Sequence, residues 1–424
     1  MPNSAPRRRN RVGRSSPAPG ARRARVLIVG GGMVGATLGT ALAGAGVETI
    51  LLDREAPQNQ RAPSFDGRAS AIAWGSARAL SGIGVWDGPG LAAHAEPIRE
   101  IRVSDGPSLL HLHYRGDEVA DHPLGFMVEN RDIRAVLGRA LETRDAATLI
   151  APAELASLEC HESGVRARLA DGTEIAAELA VSAEGRNARL RREAGIAVTE
   201  WSYPQTGIVA TVEHERPHEG VAHERFLEPG PFAMLPLQGN RSSIVWTEHR
   251  ALAPELLALD DDAFAAELER RFGPSLGRLD VRGPRWSYPL ALLHAERYID
   301  RRLVLVGDAA HSIHPIAGQG LNLGLRDVAA LAEILVDAHR LGRDLGDADL
   351  LERYQRWRRF DNVALMVATD ALNRLFSTGA PLVRLARDLG LAAVNELPPL
   401  KRFFMRHAMG IVGELPRLVR GETL

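Results

Sequence analysis

Val26-Leu27-Ile28-Val29-Gly30-Gly31-Gly32-Met33-Val34-Gly35 is the stretch from which the fold follows. Its first four residues are apolar without interruption and mostly β-branched, the mark of a strand buried on both faces. A helical pattern follows from about Val34 to Ala45, and Glu48 to Asp53 reads as a second strand, so the segment is a βαβ unit. Gly30 makes the tight turn, Gly32 lets a pyrophosphate approach the backbone, and Gly35 permits the helix to pack closely on the strand. The start of the helix, with its unpaired N–H groups, then faces the phosphate. Asp53 closes the second strand at the spacing of roughly 20 residues expected of a carboxylate that grips the adenosine ribose hydroxyls. The unit predicts a bound dinucleotide without choosing between FAD and NAD.

That choice is made far downstream. Leu303-Val304-Leu305-Val306 reads as another buried parallel strand, running into Gly307-Asp308, a Pro/Gly loop and a helix from about Leu321. A second strand-end carboxylate can hold a ribityl or ribose hydroxyl only if the cofactor is extended and reaches across the sheet, which selects FAD. The loop His311-Ser312-Ile313-His314-Pro315-Ile316-Ala317-Gly318-Gln319-Gly320-Leu321-Asn322 places turn-formers just before that helix. Backbone N–H groups of Gly320, Leu321 and Asn322 would point outward from its start. Together with the positive helix end they would stabilise negative charge on the N1 and C2=O edge of a reduced flavin. Asp308, His311 and His314 also suggest a metal set, but Pro315 and the glycines after it break helical register, and no metal is expected.

Val306 to His311 with Pro315 to Asn322 resembles the flavin motif of aromatic-ring hydroxylases of the p-hydroxybenzoate hydroxylase type, and within them the ubiquinone-biosynthesis hydroxylases. The likeness runs from about Arg25 to the C-terminus and includes Asp66-Gly67-Arg68-Ala69-Ser70-Ala71-Ile72 and the late segment Leu372 to Met409. It implies that Arg68 and Arg134 contact FAD, that Gly307 and Asp308 meet its ribityl chain or phosphate region, and that Pro315, Gly318, Gln319, Gly320, Leu321 and Asn322 border the isoalloxazine ring. For each arginine a surface ion pair is the alternative. The resemblance further implies a flavin C4a-hydroperoxide that attacks a phenol ring, with NAD(P)H or a ferredoxin as electron donor. Where many relatives carry Asp-Gly near an arginine, this chain has Glu184-Gly185-Arg186, which puts the site of NAD(P)H contact in doubt.

Composition narrows the partners. Lys+Arg 52 against Asp+Glu 53 leaves a formal charge of -1, so no global field draws the folded body to nucleic acid. Cys160 is the only cysteine, which excludes an internal disulfide and a thiol redox pair. Lys401 is the only lysine and lies outside the motifs, so Schiff-base chemistry is not expected. No apolar run reaches the roughly 18 residues of a membrane-spanning helix. The expectation is a cytoplasmic protein, peripheral at the inner membrane if it meets a membrane at all.

The fold class expected is α/β: a Rossmann-like FAD-binding domain with an inserted antiparallel β-sheet substrate domain and C-terminal helices. Residues 1–24 read as a disordered basic arm; a floppy extension, a contact for acidic lipid or a partner, and a transit peptide all fit its arginines. Residues 25–195 and 290–343 form the two parts of the FAD-binding domain, and 196–289 the substrate sheet, with a contribution from about 92–118. Residues 344–424 form a helical segment. On the sheet, Phe226, Phe232, Met234, Leu235 and Trp246 are the expected pocket wall, though residues at such spacing are often plain core. A histidine or tyrosine is a candidate to deprotonate a phenol, and Tyr203, His223 and His294 lie in or near the substrate domain, but their spacing decides nothing and no catalytic residue is assigned. Arg374, Arg384, Arg387, Lys401, Arg402 and Arg406 among Leu, Phe and Met suit a helix at anionic lipid, or equally one packed on its own domain. A prenylated phenol with O2, a membrane surface and a biosynthetic complex are the partners this implies. A soluble hydroxylase of small aromatics and a catalytically silent flavoprotein subunit share the same motifs.

Overall fold

A computed structural model of the chain describes residues 21–62, 66–106, 111–118, 121–313, 318–376, 387, 390 and 394–424. Pro315, His314 and most of the basic arm therefore lie outside the described residues, although Arg22–Arg23, at the arm's end, pair as a short parallel strand with Glu174–Ala177.

The opening motif builds the centre of a six-stranded sheet. Val26–Val29 is flanked by Thr49–Leu52 and then Ala147–Ile150 on one side, and by Leu179–Ser182 and then Leu303–Leu305 on the other. These five strands run parallel, and Ile299–Asp300 adds an antiparallel edge. The central strands are buried on both faces, as their unbroken apolar runs require. The helices Met33–Gly44 and Gln319–Arg340 cover one face around the largest apolar core. A four-stranded sheet, Arg22–Arg23, Glu174–Ala177, Val165–Leu169 and Leu155–Cys160, helps to close the other.

The second large sheet has eight strands in the order His311–Ser312, Leu279–Ala295, Val198–His214, Arg241–His249, Gly230–Leu237, Val221–Leu227, Glu100–Asp105 and His111–Arg115. The last two come from the early segment expected to contribute. Pairing is antiparallel except between Val221–Leu227 and Glu100–Asp105, which run parallel, so the sheet is mixed rather than purely antiparallel. The 17-residue strand Leu279–Ala295 runs without a break through position 289.

Alternation along these strands sorts the expected pocket wall. Phe232, Met234 and Trp246 face the helix Asp261–Phe272 and belong to a separate apolar core with Phe264 and Phe272. Phe226 and Leu235 instead line the main cavity. The expectation that all five wall the pocket is thus corrected for three of them, because neighbouring side chains on a strand point to opposite faces.

Candidate active site

A cavity of about 1680 Å³ runs from the glycine turn to the eight-stranded sheet. That exceeds the roughly 300–1,000 Å³ of a pocket for one drug-sized molecule and suits two occupants end to end.

At one end, Gly30 takes a φ of 107°, which glycine alone adopts without strain. A Cβ on Gly35 would stand 1.9 Å from the Gly30 carbonyl oxygen, so turn and helix touch backbone to backbone. At Gly32 nothing lies within 4 Å of the Cβ position, and the residue lines the cavity. The space that a side chain would fill there leaves room for a pyrophosphate at the helix start, so this cradle fits a dinucleotide. Asp53 follows its strand directly; its Oδ2 accepts the Gly31 N–H at 2.6 Å and its Oδ1 the Glu55 N–H at 2.7 Å. Each oxygen keeps a lone pair, and the residue lines the cavity.

Further along, Asp66 organises a group of donors that sequence reasoning had left around Arg68 and Arg134 alone. Arg68 meets it through Nε at 2.8 Å and Nη2 at 2.9 Å, Arg134 Nη2 at 2.9 Å, and Asn130 Nδ2 at 3.0 Å. Burial works against charge on Asp66, yet the Arg68 guanidinium and then Asn130 hold its carboxyl far below the usual carboxylate range. The arginines are therefore ion-paired and also line the cavity, which joins the two readings the sequence left open.

At the far side of the sheet, Asp308 opens onto the cavity just past Leu303–Leu305. The surrounding protein, by desolvating the carboxylate, raises its pKa, while His311 and Arg68 pull it down. Gly307 N–H is held by Asp327 Oδ2 at 3.0 Å. His311 turns inward to Asp327, at 2.6 Å. The helix Gln319–Arg340 starts after Gly318, in the left-handed conformation at φ 61°, and Gly318, Gln319, Gly320, Leu321 and Asn322 all border the cavity. The Asn322 side chain is spent on the fold: its Oδ1 accepts from Ala73 N–H at 2.9 Å and its Nδ2 donates to Ala71 O at 2.8 Å, stitching the helix start to the strand Ala69–Ala73.

Glu184 also lines the cavity, but its carboxylate accepts the Ser182 hydroxyl at 2.8 Å and the Leu190 N–H at 3.0 Å, capping the short helix Arg189–Glu193. Of the three residues weighed for phenol deprotonation, Tyr203 donates to Asp370 at 2.7 Å and His294 pairs with Tyr298 at 3.1 Å, while His223 packs edge-on against Phe272 and also borders the cavity.

A glycine cradle after the central strand and a helix start beyond Leu303–Leu305, both facing the same cavity, are the arrangement of an FAD-dependent oxidoreductase. Residues 23–368 match the FAD binding domain family. The chain belongs to that family and, within it, to the ubiquinone-biosynthesis hydroxylases, FAD-dependent aromatic-ring monooxygenases. It is 54% identical over 402 residues to the ubiquinone hydroxylase UbiL of Rhodospirillum rubrum, covering 94% of this chain and 93% of that one. It is 36% identical to the 3-demethoxyubiquinol 3-hydroxylase of Escherichia coli, over 91% of this chain and 98% of the relative. In fold it is similar to the p-nitrophenol 4-monooxygenase PnpA of Pseudomonas putida DLL-E4, with a TM-score of 0.77 at 18% identity, over 93% and 99% of the two chains.

Asp308→Ala is expected to weaken FAD binding about tenfold or more, the worth of a hydrogen bond to a charged group. Titration of apoprotein with FAD, followed by flavin fluorescence, measures it; an unchanged affinity would remove Asp308 from the site.

Proposed function

We propose that the chain hydroxylates the aromatic ring of a polyprenylated phenol in ubiquinone biosynthesis, using O2 and electrons from NAD(P)H or a ferredoxin. The observation that carries this reading is the continuity of one cavity from the glycine cradle to an apolar sheet face. In this assignment Gly30, Gly32 and Gly35 shape the pyrophosphate site, and Asp53 takes the adenosine ribose. Arg68 and Arg134, fixed by Asp66, face the middle of the cofactor, and Gly307 and Asp308 meet its ribityl region. Pro315, Gly318, Gln319, Gly320, Leu321 and Asn322 border the ring. Residues 25–195 and 290–343 then hold the cofactor, while 196–289 with about 92–118 wall the substrate. Held by these residues in its reduced form, FAD would supply the electrons that activate O2, one atom of which enters the ring while the other leaves as water. The protein's own task is to orient the phenol and keep water out, which Phe226, Leu235, Val245 and Leu112 serve along the cavity wall.

Deleting the gene and profiling quinone intermediates by mass spectrometry tests the assignment. A prenylated precursor lacking one hydroxyl is expected to accumulate, and an unchanged profile would sink it in favour of a small-aromatic hydroxylase.

A greasy substrate needs an apolar approach, and the reading places one at the C-terminal helices. Phe403 is 52% and Phe404 41% exposed on the helix Pro398–Ala408, with Arg402 and Arg406 exposed beside them. Phe404 also lines the cavity, so this surface adjoins its mouth. Among the described residues no helix is long and apolar enough to cross a membrane, which leaves the surface of anionic lipid as the proposed contact. Replacing Phe403 and Phe404 by Ser is expected to abolish co-flotation with anionic vesicles without loss of FAD; retained flotation would place the contact elsewhere.

A further inference from the structure

One rung across the eight-stranded sheet reads Leu112, Val103, Glu224, Ala233, Val245, Val209. All six residues line the cavity, and five are apolar. The sixth is a carboxylic acid in the middle of the wall. Among the described residues Glu224 has no hydrogen-bond or ion-pair partner. A carboxyl in such surroundings costs free energy that an apolar residue would not, so its presence asks for a task.

Its neighbours on the strand confirm which way it points. His223 and Arg225 pack on the Phe272 ring, with centroids 5.0 Å apart and the guanidinium 5.3 Å from the ring centroid, toward the opposite face, although His223 also borders the cavity. Arg102, on the adjacent strand, pairs with Glu100 at 2.9 Å. Of the cations that border the cavity, Arg387 pairs with Asp105 at 2.8 Å, Arg68 and Arg134 with Asp66, Arg186 with Glu200 and Arg189 with Glu193, while Arg54 and Arg192 also line it. Tyr114, two strands away, and Tyr288, beside Arg68, are the phenols around it, and burial raises both of their pKa values. Asp308 stands at the cofactor end.

We propose that Glu224 is the general base that takes the phenolic proton of the substrate, an inference that rests on the phenol reading above. The substrate O–H bond breaks, its electron pair stays on oxygen and enriches the ring, and the proton forms a new O–H bond on the Glu224 carboxylate. The carboxyl gives the proton back to the hydroxylated product before release. Burial pushes Glu224 up to about 7, which makes it a stronger base than an exposed glutamate while leaving it ionised in mildly alkaline solution.

The test uses the FAD-loaded protein, reduced chemically so that the natural donor is immaterial, with O2 and a phenol bearing one short prenyl chain. In a single turnover the yield of hydroxylated product should rise with pH through about 7. Glu224→Gln should lower the rate of product formation about 10²- to 10⁴-fold and flatten that profile. Binding of the same phenol, followed by flavin fluorescence, should tighten above that pH in the wild type and become independent of pH in E224Q. Glu224→Asp should restore both pH dependences in part; retained FAD and an undiminished melting temperature report that each variant is folded. A pH profile and product yield unchanged in E224Q overturn the role of Glu224 alone. Failure of the wild-type protein to bind the prenylated phenol overturns the substrate reading and this inference with it.

Discussion

Gly32→Val is expected to yield a folded protein that emerges from gel filtration colourless, whereas Gly35→Val is expected to lose both flavin and fold. The two positions lie three residues apart, yet their surroundings are opposite. A side chain at Gly32 meets no protein atom within 4 Å, so the apoprotein has no reason to rearrange. On the proposed site it would project where the pyrophosphate approaches the helix start, and the cost is expected to fall on FAD: about 100-fold or more in affinity, or roughly 3 kcal/mol. At Gly35 the first added carbon would lie 1.9 Å from the Gly30 oxygen, and 3.1 Å from the Ala183 Cβ. Helix, turn and strand must separate, and overpacking of this kind costs about 1–3 kcal/mol or more before any ligand is considered. Absorbance at the flavin band and melting curves with and without added FAD separate the two outcomes. A yellow G32V protein with wild-type affinity would remove the pyrophosphate from the cradle.

The second large effect is expected at Asp327→Ala. Asp327 and Arg358 are both fully buried and paired at 2.9 Å, and the same carboxylate also receives His311, the Gly307 N–H and Asn362. Removing it leaves a buried guanidinium with Asp361 as its remaining carboxylate partner, at 2.9 Å. Breaking a buried pair from one side costs about 3–5 kcal/mol, because the surviving charge stays out of water. It also frees the backbone on which Asp308 sits, so FAD retention should fall along with the melting temperature. Burial opposes ionisation of Asp327, but His311 and Arg358 more than offset it and bring its pKa down to about 2. A carboxylate depressed below its unfolded value stabilises the fold above that value, and the contribution fades as pH drops toward about 2. Wild-type protein should therefore lose this stabilisation in acid, while Asp327→Asn should lack it at every pH. Equal acid sensitivity of the two would show that the network does not carry the stability.

Local signals were the legible ones. The turn glycines, Asp53 and Gly307-Asp308 announce themselves because a strand, a turn and a helix start all fit within a dozen residues or so. The same holds for the helix start at Gln319, foreseen two residues later. Asp66 is visible only as part of a motif centred on Arg68; it lies in a loop, its partners Asn130 and Arg134 arrive from the distant helix Asn130–Glu142, and nothing short-range joins them. Phe232 and Met234 could have been separated from Leu235 by parity alone, since alternate residues on a strand share a face. Which face is the cavity required knowing where Asp261–Phe272 packs. Glu224 illustrates the harder case: its apolar surroundings are assembled by four other strands, from Glu100–Asp105 to Val198–His214, with His111–Arg115 at the edge. A charged residue between two others reads as surface until those strands are paired.

The order of the six-stranded sheet sets a timetable for synthesis. Val26–Val29 emerges from the ribosome early, but its layer gains Leu303–Leu305 only after most of the polypeptide has been made. At about 5–20 residues per second that interval lasts on the order of tens of seconds, during which the apolar central strands lack one flank. On the site proposed above, a nascent chain stalled short of Asp308 would carry the residues for the adenine end but lack those for the flavin, so capture of the cofactor is expected late in biogenesis.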